Sequence, residues 1–352
     1  MKLFGPGAEL TELATRIMAE DLDALENQLA AGWDVNAVFN VTRHIDVSPL
    51  TLALSEQKMK VVHWLLEKNA VINDKKSPAL LTAAASCKPA VLQLLIDKGA
   101  NVNQKDELNK TALTAALYGK KYDNIAVLLA NGYHLQEDGR SLRQAVFNRL
   151  YPAINMLLDA GADVNLHLPD MVFPYNPTAV CVAAQNNDFN TVKLLVEKGA
   201  DVTIKDKYGE RPYNAAVAKK NDEMIAYLKA LEPPQWHEEE QRLADLKSYK
   251  IPAKLLEILR SDHRRINIPG NEYISYIEFN RVVDLKEVNW NKYKFLDLLS
   301  DVDNYGAEGL LVWYPKKKCL AFADYEHGAL KELSSVDDFF RDPGIQLNKI
   351  FE

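Results

Sequence analysis

Acidic and imidazole side chains occur together at one place in this chain, the run Asp324-Tyr325-Glu326-His327. A carboxylate beside an imidazole can transfer protons in general acid–base catalysis. The run follows a β-rich segment that ends at Phe322, and the alternating geometry of a strand would direct successive side chains to opposite faces. Four polar residues after a strand are explained more simply as a turn. We therefore expect a turn and no catalytic residues, and an enzyme with its site in the C-terminal domain is the least favoured function.

Metal and cofactor chemistry has still less support. The seven histidines are scattered without the His-x-x-x-His spacing of a zinc site, and the three cysteines lie too far apart to form Cys-x-x-Cys. Neither a Gly-rich phosphate loop nor a Gly-x-Ser-x-Gly elbow is present. We expect no metal and no cofactor, and we expect Cys87, Cys181 and Cys319 to pack as small structural side chains.

Composition limits the classes of partner. The chain has 352 residues, 47% of them hydrophobic, and a net charge of -7, which is typical of a globular protein with more than one structural unit. Nucleic acids and anionic lipids need a basic field, so we expect neither, whereas the acidity favours a protein partner with a basic surface. Residues 1–7 predict no secretory signal, and no apolar run is long enough to span a membrane. Sparse, unpaired cysteines then favour the cytoplasm.

An internal repeat organises the first two thirds of the chain. The segment that ends in Gly99-Ala100-Asn101-Val102-Asn103 recurs with Gly161-Ala162-Asp163-Val164-Asn165 and with Gly199-Ala200-Asp201-Val202, and weaker copies occur at residues 29–36, 65–73 and 128–135. In six copies a helix-core position, usually Ala, precedes the loop Gly or its replacement Asn69 by sixteen residues. Length varies only outside this block, so the block is packed structure and the remainder is exposed loop.

Each block predicts two short antiparallel helices. Ser48 followed by Pro49 supplies an N-cap oxygen and a Pro at the first helical position. Small residues such as Ala83-Ala84-Ala85 let the first helix approach its neighbours closely, and apolar residues at helical spacing mark the second helix. That helix should end at a Gly in the left-handed conformation.

These loops and helix starts resemble the ankyrin repeat family, with a mean period near 33 residues. The resemblance implies an α-solenoid of about seven units in residues 1–234, and the change of pattern after Pro233-Pro234 predicts a smaller α+β domain in residues 235–352. It also implies protein–protein recognition through the concave face and the loop tips. Two long insertions, residues 38–46 and 166–177, should lie on that side. The candidate partner-binding residues are Phe39, His44, Tyr118, Phe147, Asn148, Phe173, Tyr175, Gln185, Asn186 and Tyr208.

Residues after Pro233-Pro234 follow another pattern. Residues 238–246 and 252–259 predict helices, residues 273–279, 310–314 and 319–322 predict strands, and residues 336–340 predict a last helix. We expect the order helix, strand, helix, strands, helix, with residues 315–318 as a hairpin turn. Pro252, Trp313 and the run from Ser334 to Phe340 resemble the SUKH superfamily.

Both resemblances together imply a bacterial immunity protein, an antitoxin-like chain that occludes a toxin. The alternative is an ankyrin adaptor or scaffold for another protein complex. The sequence leaves both hypotheses open.

Overall fold

A computed structural model describes residues 3–5 and 7–351. Part of the N-terminal segment, on which the absence of a secretory signal was predicted, lies outside the described residues. Contacts divide the chain into two compact units, residues up to Val172 and residues from Phe173 onward. None of the described helices is both long and apolar enough to cross a membrane.

The first unit consists of five helix pairs and one β-hairpin. The helices are α1 Glu12–Ala19, α2 Leu22–Ala30, α3 Pro49–Ser55, α4 Met59–Glu67, α5 Ala79–Ser86, α6 Pro89–Asp97, α7 Ala112–Tyr118, α8 Asp123–Ala130, α9 Ser141–Phe147 and α10 Tyr151–Asp159. The hairpin, β1 Phe39–Thr42 and β2 Ile45–Val47, occupies the first predicted insertion. That insertion is therefore ordered strand and not an irregular loop.

Capping residues begin and end these helices as the sequence predicts. Ser48 caps α3, because its side chain accepts a hydrogen bond from the Thr51 N–H while Pro49 occupies the first turn. Gly99 and Gly161 have φ values of 94° and 84° after α6 and α10, and Asn69 adopts φ 61° after α4. The left-handed ends of the second helices are thereby confirmed.

Close approach of the first helices builds the core of this unit. Ala83, Ala84 and Ala116 are fully buried. A Cβ on Gly119, directly after α7, would lie 2.0 Å from the carbonyl oxygen of Ala85 in α5. Glycine is required at position 119 by this contact and not by backbone conformation, since φ is -77°.

The second unit begins with two further helix pairs and continues into an antiparallel α+β structure. Its helices are α11 Ala179–Gln185, α12 Phe189–Glu197, α13 Pro212–Ala218, α14 Asp222–Leu231, α15 Glu239–Asp245, α16 Ala253–Arg260, α17 Val336–Arg341 and α18 Pro343–Phe351. Its strands are β3 Arg265–Asn267, β4 Tyr276–Phe279, β5 Lys286–Trp290, β6 Tyr293–Asp297, β7 Leu299–Val302, β8 Val312–Tyr314, β9 Cys319–Asp324 and β10 Ala329–Ser334.

Two sheets share the main core of this unit. One has the order β10-β9-β8-β6-β5 and the other β3-β4-β7, and every pairing is antiparallel. Trp313 is 1% exposed and donates its indole N–H to the Tyr249 carbonyl at 2.8 Å. Phe279 and Phe339 pack into the same cluster, so the last helices close over the sheets.

The predicted order of elements after residue 235 is partly wrong. Helices α15, α16 and α17 and strands β8 and β9 form where expected, and residues 315–318 make the predicted hairpin turn. No α-helix lies between β4 and β8 in the described chain. Strands β5 to β7 occupy that interval, because Val288, Trp290 and Phe295 alternate into a second buried cluster across a two-residue turn at Asn291. Strands β3 and β10 and helix α18 are additional elements.

The unit boundary differs from the predicted domain boundary. Helices α11–α14 share the second unit with the sheets. The assignment of residues 1–234 and 235–352 to separate domains stays a prediction, as does the SUKH resemblance of the second range.

We predict that Gly119→Ala destabilises the protein. The added methyl group must displace the α5 backbone, and overpacking of this kind costs about 1 to 3 kcal/mol of unfolding free energy. Urea denaturation followed by circular dichroism measures the change. Gly306→Ala is the control, because a Cβ there meets no atom within 4 Å. Equal stability of the two variants would show that the helices do not approach this closely.

Candidate functional site

Two half-exposed aromatic residues end successive first helices of the first unit. Tyr118, the last residue of α7, is 49% exposed, and Phe147, the last residue of α9, is 51% exposed, although the residues before them are buried. The Tyr118 hydroxyl donates to the Gln144 amide oxygen at 3.0 Å, and the Lys110 ammonium lies 5.4 Å from the Tyr118 ring centroid. Oriented rings of this kind suit the anchor of a protein interface.

Asn148 belongs to the same group. It is exposed and donates from its side-chain amide to the Gln144 carbonyl at 3.1 Å. Gln144 and Phe147 are three residues apart on α9 and therefore face the same side. Tyr118 and Asn148 thus both bond to the buried Gln144, and Phe147 directly precedes Asn148 at the end of α9.

The first insertion holds Phe39 and His44 on a different helix pair. Phe39 is half-buried and lies opposite Val47 in the hairpin, while His44 is exposed in its turn. Thr11 ties the hairpin to the start of α1 through hydrogen bonds to Asn40 and Val41. These two candidates accordingly belong to the first helix pair, and Tyr118 belongs to the fourth.

The prediction that Phe173 binds a partner is corrected by the burial of its side chain. Phe173 was a candidate partner-binding residue of the second insertion, but it is 1% exposed and cannot touch a partner in this conformation. Burying a Phe side chain is favourable by about 1.5 to 3 kcal/mol, which is the physical reason. The exposed apolar residues of that insertion are instead Leu168, at 54%, and Met171, at 71%.

Tyr175 and Tyr208 lie next to each other in the second unit. Their ring centroids are 6.4 Å apart, and Tyr208 packs on Tyr325 at 4.1 Å. Burial raises the pKa of Tyr175 to about 12, so its hydroxyl stays protonated near neutral pH. Both rings are half-buried in an aromatic row that continues to Trp290. This packing satisfies much of their apolar area within the unit.

Gln185 and Asn186 end α11 in the same unit. Gln185 donates its amide N–H to the Glu210 carboxylate at 2.9 Å, and both residues are half-buried. Gln185 is therefore oriented by an intramolecular contact.

The acid–imidazole run forms the predicted turn, between β9 and β10. Asp324 accepts hydrogen bonds from the His327 backbone N–H at 3.1 Å and from the Lys331 ammonium at 3.0 Å, and the His327 Nδ1 atom lies 3.0 Å from its carboxylate. The Lys331 contact is the main reason that the pKa of Asp324 falls to about 2. A carboxylate in this state stabilises the hairpin and has no proton to donate near neutral pH.

All three cysteines were expected to be structural, and two of them are buried. Cys87 and Cys181 are each 1% exposed, and burial raises the pKa of Cys87 to about 11. Burial also raises the pKa of Cys181. Both thiols are thus protonated near neutral pH, a poor state for a nucleophile.

A buried arginine, which the sequence interpretation missed, orders the second insertion. Arg143 in α9 is 1% exposed and donates to the carbonyls of Gly139 and Leu168, each at 2.5 Å, and to the Asp170 carboxylate at 3.0 Å. The sequence held a signal, since Arg143 directly follows the apolar Leu142 in a short helix with no other charged residue. A pocket of about 210 Å³ beside it includes Tyr133, Arg140 and Met171.

The second unit contains a cavity with several carboxylates. Lys286 lies 3.1 Å from Asp297, 3.2 Å from Glu308 and 3.5 Å from Glu210. Burial disfavours the charge of Lys286, but the carboxylates outweigh it and raise its pKa. The adjoining cavity of about 240 Å³ also includes Asp301. Within the unit these charges neutralise one another in part.

Known proteins share the first part of the chain. The family model described as Ankyrin repeats (3 copies) matches residues 13–106, 80–168 and 142–234. The solved structure of the human ASB11 ankyrin repeat domain superposes with a TM-score of 0.51 at 22% identity, covering 64% of this chain and 99% of that one. At this identity the likeness shows the fold alone.

Curated relatives match about half of the chain. Intracellular phospholipase A2 of Caenorhabditis elegans is 26% identical over 193 residues, which are 52% of this chain and 18% of that protein. Human Ankyrin repeat and SOCS box protein 6 is 29% identical over 186 residues, 48% of this chain and 43% of that protein. The chain spans less than half the length of each.

We predict that Arg143→Met loosens the second insertion. Removing the buried guanidinium breaks its ion pair with Asp170 and its bonds to two carbonyls, and costs about 3 kcal/mol of unfolding free energy. Hydrogen exchange of the amides of residues 166–170 should become faster. Arg260→Met is the control, because Arg260 and Glu239 are an exposed pair whose loss costs less than about 1 kcal/mol. Unchanged exchange in the Arg143 variant would contradict the role assigned to this side chain.

Proposed function

The chain belongs to the ankyrin repeat family, whose repeats are protein-binding modules, and we propose that it binds a partner protein through the face that carries Tyr118 and Phe147. About seven ankyrin units are part of this proposal, a number that the seven helix pairs between Glu12 and Leu231 support. One observation carries the choice of face: two large aromatic side chains, each about half exposed, end successive first helices. Exposed aromatic rings of this kind are common interface anchors.

A binding function is preferred to an enzyme for physical reasons. Ankyrin repeat domains are in general non-enzymatic, and Asp324 and His327 are explained by the hairpin turn that they form. The enzyme hypothesis predicts loss of an activity, without loss of folding, when either residue is replaced.

The charge of the partner is a separate question. A basic partner surface stays a prediction from the net charge of the whole chain. That prediction does not apply to the face of Tyr118 and Phe147, because basic residues lie close to these two residues in the chain. Cytoplasmic location likewise stays a prediction.

Two narrower functions remain proposals. An immunity protein depends on the SUKH resemblance of residues 235–352, and an adaptor depends on the ankyrin repeats alone. Co-expression with the product of a neighbouring toxin gene separates them. An immunity protein should co-purify with the toxin and abolish its toxicity, whereas unchanged toxicity would leave the adaptor hypothesis.

We predict that Tyr118→Ala and Phe147→Ala each weaken the complex with the partner. Truncating an interface anchor costs about 1 to 3 kcal/mol of binding free energy. Affinity capture with the wild-type chain, followed by mass spectrometry, identifies the partner, and calorimetric titration of that protein measures the loss. Tyr305→Ala, which removes a 45% exposed ring of the second unit, is the matched control. Unaltered affinity in both variants would remove this face as the binding site.

A further inference from the structure

Exposed basic residues accompany the two aromatic anchors. We define the helix-end row as Lys88, Tyr118, Lys120, Lys121, Phe147 and Arg149. Lys88, Lys120 and Arg149 are exposed, and Lys121 is half-buried. The stretches 86–88, 118–123 and 147–151 contain these four basic residues and a single acidic residue, Asp123. The row is thus locally positive in a chain whose net charge is -7.

Packing of the first helices makes the row contiguous. The end of α7 touches the end of α5, where Gly119 approaches the Ala85 carbonyl. Asn124 joins the same two turns, since its amide donates to the Ala84 carbonyl at 2.9 Å and to the Cys87 carbonyl at 3.2 Å. The bond from Tyr118 to Gln144 continues the connection to α9.

Helix stability does not account for these basic residues. Lys88 is the N-cap of α6, and Lys121 and Arg149 directly precede the N-caps of α8 and α10. A positive charge at a helix N-terminus opposes the helix dipole and is unfavourable by about 0.3 to 1 kcal/mol. None of these three helices has a side-chain cap.

Three other second helices have the favourable alternative, a side-chain oxygen at the N-cap. Asp21 caps α2, Asp188 caps α12 and Asn221 caps α14, each through a side-chain oxygen. Carboxylates at equivalent positions near the start of the chain are also engaged internally, since Glu20 accepts the Lys60 N–H at 2.9 Å and Glu56 accepts the Leu3 N–H at 3.0 Å. Lys58 at the N-cap of α4 and Lys220 directly before the N-cap of α14 also carry this reversed charge, so the helix pairs beside Tyr118 and Phe147 differ in combining it with exposed aromatic rings. A local arrangement that lowers helix stability is typical of a functional surface.

We propose that the helix-end row binds an acidic segment of the partner protein, whose apolar residue contacts Tyr118 and Phe147 while its carboxylates face the basic residues. This inference rests on the proposed function, because it names the chemistry of the partner at the same face. Charge complementarity supports the occupant. A nucleic acid fits less well, since four basic residues are fewer than the roughly 6 to 10 phosphate contacts of typical binders, and the remaining acidity repels a polyanion.

Selection from a random peptide library tests the chemistry of the occupant. The purified full chain, its Lys88→Glu/Lys120→Glu variant and a Lys316→Glu/Lys318→Glu control are panned in parallel. The control makes the same charge change at exposed lysines of the β8–β9 turn. The wild-type chain and the control should enrich peptides that combine Asp or Glu with an apolar residue, and the row variant should lose them.

The affinity of each variant for an enriched acidic peptide measures how much the basic residues contribute to binding. We expect the double charge reversal to weaken binding at least roughly tenfold. We also expect the wild-type chain to bind the peptide more weakly at higher salt. Enrichment of neutral or basic peptides, the absence of enrichment, or equal binding by the row variant overturns the proposal. Tighter binding of oligothymidylate than of the acidic peptide overturns it in favour of nucleic acid.

The Tyr118→Ala and Phe147→Ala variants separate this proposal from the proposed function. If they lose the captured partner while Lys88→Glu/Lys120→Glu retains it, the binding face stands and its acidic specificity fails. If all of these variants retain the partner, both fail at this face. Circular dichroism and urea denaturation of each variant confirm that folding is retained.

Discussion

A pair of helices with seven to ten residues each cannot bury its apolar face alone, and isolated helices of this length are marginal in water. The helix pairs of this protein are stable because the first helices pack on those of neighbouring pairs within the same unit. This packing needs small residues, which is why Ala83, Ala84 and Ala116 are fully buried. The contact of Gly119 with the Ala85 carbonyl shows how little space remains.

The same packing determines which residues of these helices are exposed for the proposed binding. Side chains within α7 and α9 are buried against neighbouring helices, and the last residue of each helix is the first to emerge. Tyr118 and Phe147 occupy these positions, so the scaffold orients them without requiring any loop to fold around them. The second insertion needs a different support, which the buried Arg143 supplies through two carbonyls and a carboxylate.

The sequence predicted features that depend on nearby backbone chemistry. The cap at Ser48, the left-handed Gly99 and the turn at Asp324 each follow from a few adjacent residues. Strands β5 to β7 were missed because their alternation is short and their pairing depends on residues distant in the chain. The burial of Phe173 and the exposure of Met171 were not predictable either. Nothing local in the insertion distinguishes these two apolar residues, and their burial depends on packing with the rest of the structure.

In the candidate site too, some features follow from the local sequence and others depend on residues distant in the chain. The exposure of Tyr118 and Phe147 followed from the repeat period, since equivalent positions recur in each unit. The contact of Tyr208 with Tyr325 joins residues more than a hundred positions apart, and only the tertiary structure brings them together. A repeat therefore makes its surface predictable from sequence, whereas a mixed α+β structure does not.

Close packing at Gly119 also has a consequence for evolution. Positions that maintain the fold and positions that select a partner alternate along the chain, yet they lie on different sides of the same helix ends. Glycine at 119 is constrained by a backbone contact, while its exposed neighbour Lys120 is free to vary in charge. Descendants of this protein can acquire a new binding specificity through a few surface substitutions, because such changes leave the helix contacts intact.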